Sequence, residues 1–190
     1  MKTEKVLALL FIVVLILKLV HIPGANLFLV LILSSVSFCY LILAFYLFSD
    51  KDIKQQNIPL SIASGFWLCI IPVGILSKLM LWPGAWAQLS VGIVASPIIL
   101  IAVYLLKMNA PENLTVYYKN MLTRVTVLTI LVFVFYFIST PTLIKFLCWG
   151  NPELARIKTL YITNPGNKEY ARQYQEYMER NNPGEHHRDK

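Results

Sequence analysis

Charge is scarce in this chain, and acidic charge is scarcest. Of 190 residues 14% are charged, and only ten are Asp or Glu. None of the ten falls within a long apolar run. Proton and cation relays across a bilayer are normally built from intramembrane carboxylates or histidines, so this shortage weighs against ion-driven work. Cysteine is nearly as rare. Cys39, Cys69 and Cys148 lie in or at the end of apolar segments without metal-ligand spacing, and they read as small buried hydrophobes. The sequence has no glycine-rich phosphate loop, no His-Glu-x-x-His and no nucleophile elbow, and it suggests no catalytic triad. His186 and His187 are too isolated to make a metal site. The expectation is a chain that is not an enzyme and takes no cofactor and no metal.

Apolar side chains are what the chain has in excess, at 57%. A soluble domain of this size rarely carries so many, which makes lipid the expected solvent and the bilayer the first partner. A spanning helix needs about 20 mostly apolar residues. Five segments qualify, at 5–22, 25–48, 58–81, 86–106 and 122–147. Their backbones have no water to bond in lipid, so each must be helical. The predicted fold class is therefore all-α: a polytopic helical membrane protein with a five-helix domain over 1–149 and a polar tail over 150–190. The first segment has the apolar core of a signal peptide, but no small-residue cleavage site follows, and it reads as retained. The net charge of +7 does not point to nucleic acid, because the basic residues are scattered over loops and tail without a basic stripe.

The apolar segments repeat. "LILKLVHIPGANL" returns as "ILSKLMLWPGAWAQL", with Lys18, Pro23, Gly24 and Ala25 matched by Lys78, Pro83, Gly84 and Ala85, each 60 positions later. A worn third echo, "LIKFLCWGNPELARI", carries Lys145 and Trp149. Each full unit reads as helix, Pro-Gly turn, helix, since proline presets φ and glycine accepts positive φ. Two spans per unit predict parallel repeats over 5–48 and 60–106, related by an axis along the membrane normal, with a fifth helix over 122–147 as half a unit. Lys18 and Lys78 each precede the turn proline by five residues, or roughly 7.5 Å of helix. At that depth an ammonium can snorkel to the headgroups, bond the carbonyls of a neighbouring helix end, or hold an anionic lipid head. Pinning the structure is favoured over handling an ion or substrate. Pro72, Pro97 and Pro141 predict kinks within the third, fourth and fifth spans.

The two hairpins resemble the signature K-x-L-H-W-P-G-A of the gliding-motility motor membrane subunit, the GldL-like family of Bacteroidota. Lys18, His21, Pro23, Gly24 and Ala25 carry the resemblance in the first unit; Lys78, Trp82, Pro83, Gly84 and Ala85 carry it in the second. It implies a protein of the Gram-negative inner membrane with a cytoplasmic N-terminus, and five spans then put the C-terminus in the periplasm. The basic residues give the same orientation: Lys2, Lys5, Lys51, Lys54, Lys107, Lys119 and Arg124 on the inner side, against Lys18, Lys78, Lys145, Arg156 and Lys158 on the outer. The family's second helix bears a membrane glutamate associated with ion use, and the matching positions here are Val36 and Ser96. The expected function is a non-catalytic scaffold or anchor in an envelope-associated assembly of the gliding or secretion kind. The alternative is a small transporter or channel with a path between the hairpins. In the tail, Asn167 predicts the cap of a short helix near 167–181, on which Tyr170, Tyr174 and Tyr177 recur at helical spacing. That face is expected to pack on the chain's own membrane domain; docking on a membrane or periplasmic protein partner, or on the bilayer surface, is the other use for it. The sequence implies no oligomeric state.

Overall fold

The computed structural model describes residues 2–20, 22, 24–47 and 57–181. Within them all regular structure is helical, and the chain divides into two compact units, Met1–Ile138 and Ser139–Lys190. The first unit holds α1 (Lys2–Leu19), α2 (Ala25–Leu47), α3 (Ile58–Leu68), α4 (Ile70–Leu79), α5 (Ala85–Met108) and α6 (Glu112–Phe137). Four stretches are long and apolar enough to cross a membrane: Ala25–Ile42, Ile58–Leu79, Ala85–Met108 and Glu112–Phe137. The apolar part of α1, Val6–Leu19, is shorter. This is a helical membrane protein. Leu31, Phe66, Trp67, Val94, Ile98 and Ile130 are among many large apolar side chains on its outside, the surface that lipid covers.

The third span is the hub. It is 56% buried, against 22% for α2, 28% for α5 and 33% for α6, so the other spans pack around it. It is also broken, at Cys69, into α3 and α4. Pro72 explains the break: it has no N–H to give the carbonyl four residues back, and its ring crowds that carbonyl. Ser37 Oγ on α2 donates to the Cys69 carbonyl at the break, 2.8 Å away, as neighbouring hydroxyls often do beside membrane prolines. Gly92 lets α5 come close to its neighbours. A Cβ there would lie 2.9 Å from Val132 Cγ2 of α6 and 3.1 Å from Ile71 Cγ1 of α4.

The fifth apolar segment differs from the 122–147 expected. Its helix, α6, starts ten residues earlier at Glu112 and stops at Phe137. A new helix, α7 (Thr140–Leu147), then begins the second unit. Pro141 is therefore not a kink within a span but a first-turn residue of α7, where its missing N–H costs nothing, and Ser139 Oγ caps the helix by accepting from the Thr142 amide at 3.3 Å. The unit boundary falls after Ile138 rather than after residue 149.

The second unit continues with α8 (Pro152–Thr163) and α9 (Lys168–Asn181). Asn151 and Pro152 start α8 by the same cap-and-proline device, Asn151 Oδ1 accepting from Leu154 N at 3.0 Å. The tail is thus more ordered than its polar composition suggests. The helix expected near 167–181 is α9, with Asn167 Oδ1 accepting from Glu169 N at 3.0 Å. Two of its tyrosines, Tyr174 and Tyr177, turn inward on the unit. Tyr174 stacks on Tyr161 of α8, centroids 5.0 Å apart and rings 2° from parallel, and the Tyr177 hydroxyl accepts from Asn151 Nδ2 at 2.6 Å.

Candidate functional site

The two matched lysines are the centre of the first unit's most specific feature. Lys18 stands in the last turn of α1, and its Nζ donates to the carbonyl of Leu79, the last residue of α4, at 2.9 Å. Lys78 stands in the last turn of α4, and its Nζ donates to the carbonyl of Tyr136, in the last turn of α6, at 3.1 Å. Each lysine thus satisfies a carbonyl that its own helix cannot, and brings positive charge to the negative end of a helix dipole. The C-terminal ends of α1, α4 and α6 consequently lie together. The clamps differ in burial: Lys78 is 4% exposed, whereas Lys18 is half-buried. Lys18 also approaches Met80 Sδ at 3.5 Å.

The turns that place these lysines carry the same bonds 60 residues apart. The Ile22 amide bonds the Leu17 carbonyl at 3.1 Å, and the Trp82 amide bonds the Ser77 carbonyl at 2.8 Å. The Phe28 amide bonds Gly24, and the Gln88 amide bonds Gly84. In the second turn Leu81 takes φ 59° and its amide bonds the Lys78 carbonyl, completing a Schellman motif. Gly24 and Gly84 have φ of 88° and 86°, the left-handed region where a side chain is strained. His21 and Pro23 lie outside the described residues. Ala25 is buried and Ala85 half-buried at the starts of α2 and α5. Trp82 and Trp86 are exposed at this end, and Trp86 packs on Tyr136 at 4.6 Å, the placement of indoles at a membrane–water interface.

Lys145 and Trp149 are in the second unit. They keep the lysine-to-tryptophan spacing but not the turn: the Trp149 amide bonds Phe146, and the left-handed residue that follows is Gly150. Both line a cavity between α7 and α8.

Two further groups of polar residues stand inside the first unit. At the end of the first unit away from the clamps, the Tyr117 hydroxyl lies 2.6 Å from Ser61 Oγ and donates to the Asn57 carbonyl at 3.1 Å; Asn57 Nδ2 reaches the Tyr118 hydroxyl at 3.5 Å. More telling is Arg124. Counted among the loop cations, it instead sits near the middle of α6, roughly 18 Å from the helix start, and is 9% exposed. It is engaged by other residues of the chain. Ser64 Oγ on α3 and Ser96 Oγ on α5 are fully buried and, among the described residues, have no hydrogen-bond partner. The signal for Arg124 was available: Tyr117, Met121, Arg124, Leu128, Val132 and Phe135 recur at three and four residues, one buried helical stripe.

No family model, no curated protein and no solved structure matches this chain.

Proposed function

We propose that this protein is a non-catalytic scaffold or anchor of the bacterial inner membrane, holding a partner in an envelope-associated assembly of the gliding or secretion kind. One observation carries it. Both matched lysines, the strongest candidates for machinery in the sequence, bond carbonyls at the end of another helix and tie three helix ends together. A charge held in that way serves rigidity rather than passage. The resemblance of both hairpins to the gliding motor subunit supplies the kind of assembly. At the two positions matching that family's ion-handling glutamate stand Val36 and the buried Ser96, neither of which titrates.

The proposed orientation puts the N-terminus in the cytoplasm. By sequence Lys2, Lys5, Lys51, Lys54 and Lys107 fall at the other end of the spans or its connections, against Lys18 and Lys78 one turn inside the clamp end and Lys145, Arg156 and Lys158 after the last span. With Lys119 and Arg124 inside α6 these cations divide evenly, and the cytoplasmic N-terminus is supported by the resemblance of the hairpins.

A second function, a small transporter or channel between the hairpins, is favoured by Arg124, because a buried intramembrane cation marks a conduction path in many membrane proteins. Two measurements on the full chain decide. Photocrosslinkers at the exposed positions Arg172 and Gln175 of α9 are expected to capture one discrete envelope protein in cells. Purified protein in liposomes is expected to pass no proton or cation current above empty liposomes. A current that disappears in Arg124→Gln, with the helical content intact, would overturn the scaffold and assign the chain to transport.

A further inference from the structure

The second unit contains a cavity of about 440 Å³ with an unusual lining. Lys145 of α7 and Arg156 of α8 supply two cations, and no lining residue is acidic. Buried Cys148 and Ala155, with Leu160, make the interior apolar. Trp149, also lining it, is 74% exposed, and the exposed Phe146 ring lies beside it at 6.4 Å between centroids. The size is that of a small-molecule site. A free phosphate would have no use for the apolar interior, and an apolar ligand none for the two cations in the lining. An anion carried on a hydrocarbon chain uses both. Such a molecule is at hand, since only Ile138 and Ser139 separate Phe137, the end of the last long apolar helix, from Thr140 at the start of α7. Thr140 therefore lies within about 11 Å of a span end by chain length alone.

We infer that this cavity seats an anionic phospholipid, with Lys145 and Arg156 on its phosphate, Cys148, Ala155 and Leu160 against its first methylenes, and Trp149 at headgroup level. Basic pockets of this kind select anionic lipids, and exposed tryptophan prefers the headgroup zone. The inference rests on the membrane character of the chain and stands apart from the scaffold proposal.

The test uses the full chain in nanodiscs with Trp149 as the sole tryptophan (W67F/W82F/W86F) and lipids brominated on their acyl chains. Each cation near an anionic headgroup is worth about fivefold, so the pair gives roughly a 30-fold preference. Half-maximal quenching of Trp149 is expected at a correspondingly lower mole fraction of brominated phosphatidylglycerol than of brominated phosphatidylcholine. K145Q/R156Q should close that gap, K145R/R156K should keep it, and K168Q, on α9, should leave it unchanged. Native mass spectrometry of the unaltered chain provides a second readout, with phosphatidylglycerol adducts exceeding phosphatidylcholine adducts until Lys145 and Arg156 are replaced. Equal quenching by the two lipids, or a gap that survives K145Q/R156Q, refutes the site. Displacement of phosphatidylglycerol by millimolar inorganic phosphate would make it a phosphate site and refute the lipid assignment.

Discussion

Replacing Lys78 by methionine removes the ammonium and keeps most of the aliphatic stem, so the cavity term is small. What remains is the carbonyl of Tyr136, which has lost its donor in a place where Lys78 itself was only 4% exposed. An orphaned buried acceptor costs about 1–3 kcal/mol. Hydrogen bonds between membrane helices measure lower, about 0.6 on average and up to about 1.7, because the separated helices also find partners. Against both stands the desolvation of the ammonium, which the methionine no longer bears. The negative helix end lowers that cost in the folded protein, so the loss should win. We expect K78M to lose about 1.5 kcal/mol, a little over tenfold in the unfolding equilibrium. K18M should lose only about 0.5 kcal/mol, because Lys18 is half-buried and water can reach the carbonyl of Leu79 in its place. Unfolding in mixed micelles, followed by circular dichroism and by the fluorescence of Trp86 beside Tyr136, measures both. The double variant should fall short of the sum, since both clamps end on the same turn of α4, at Lys78 and Leu79. If K78M equals or exceeds the native protein in stability, or if K18M loses more than K78M, the lysines do not clamp the helices.

Two further outcomes follow from packing and burial. Gly92→Ala puts a methyl group 2.9 Å from Val132 Cγ2, a stiff β-branched neighbour, and should lower stability by about 1–3 kcal/mol in the same micelle assay, while Gly92→Ser should do no better. In the second unit burial pushes the Cys148 thiol above its ordinary range, with Lys158 pulling the other way, and burial likewise raises the Tyr174 hydroxyl, with Cys148 and Tyr161 adding to it. An acid whose folded pKa is raised binds more protons when folded, so the unit's stability is full below the ordinary thiol range and falls as pH rises through it. Alkylation of Cys148 by iodoacetamide at pH 8 should therefore be slower in the folded chain than in urea, and the ratio should shrink as pH climbs; equal rates at pH 8 would show that the thiol is not protected.

The lysines were legible as far as their own helices went. The Pro-Gly-Ala turn marks where α1 and α4 end, so Lys18 and Lys78 had to lie one turn inside a helix end, and a neighbouring helix's carbonyls were among the acceptors weighed. Which carbonyls was not legible, because Leu79 and Tyr136 are acceptors only through the order in which the helices pack. Hydropathy misplaced the start of α6 for a physical reason. The stretch Glu112–Met121 is polar in composition, yet Tyr117, Tyr118 and Met121 face the interior and are buried. Its polar groups bond within the bundle, as Tyr117 does with Ser61 and Asn57, and an average over the window cannot see a partner. Nothing in the polar composition of the tail marks α8, although Asn151 and Pro152 form a helix start, with the Leu154 amide returning to the asparagine. The tyrosine stripe of α9 reads as a face that packs on the membrane domain, but Tyr174 and Tyr177 meet Tyr161 and Asn151 of the second unit, partners that come with α8.

Arg124 is where the two functions part, and energy sets the terms. On insertion scales an arginine at mid-membrane costs about 2.5–3.5 kcal/mol, a large fraction of the stability of any domain. The chain carries that charge on α6 among buried residues, in the stripe that faces the interior of the unit. The arginine must therefore return something that a leucine at the same position would not. As a structural pin it returns hydrogen bonds to several helices at once, through a fork of five donors that lysine cannot reproduce. Arg124→Lys should then cost nearly as much stability as Arg124→Gln, and both should leave liposomes tight. As part of a path it returns a charge to a passing ion, which lysine also offers, so Arg124→Lys should keep a current that Arg124→Gln loses. The lysine substitution thus separates geometry from charge, and with the clamps already committed to helix ends, Arg124 is the cation on which that separation has to be made.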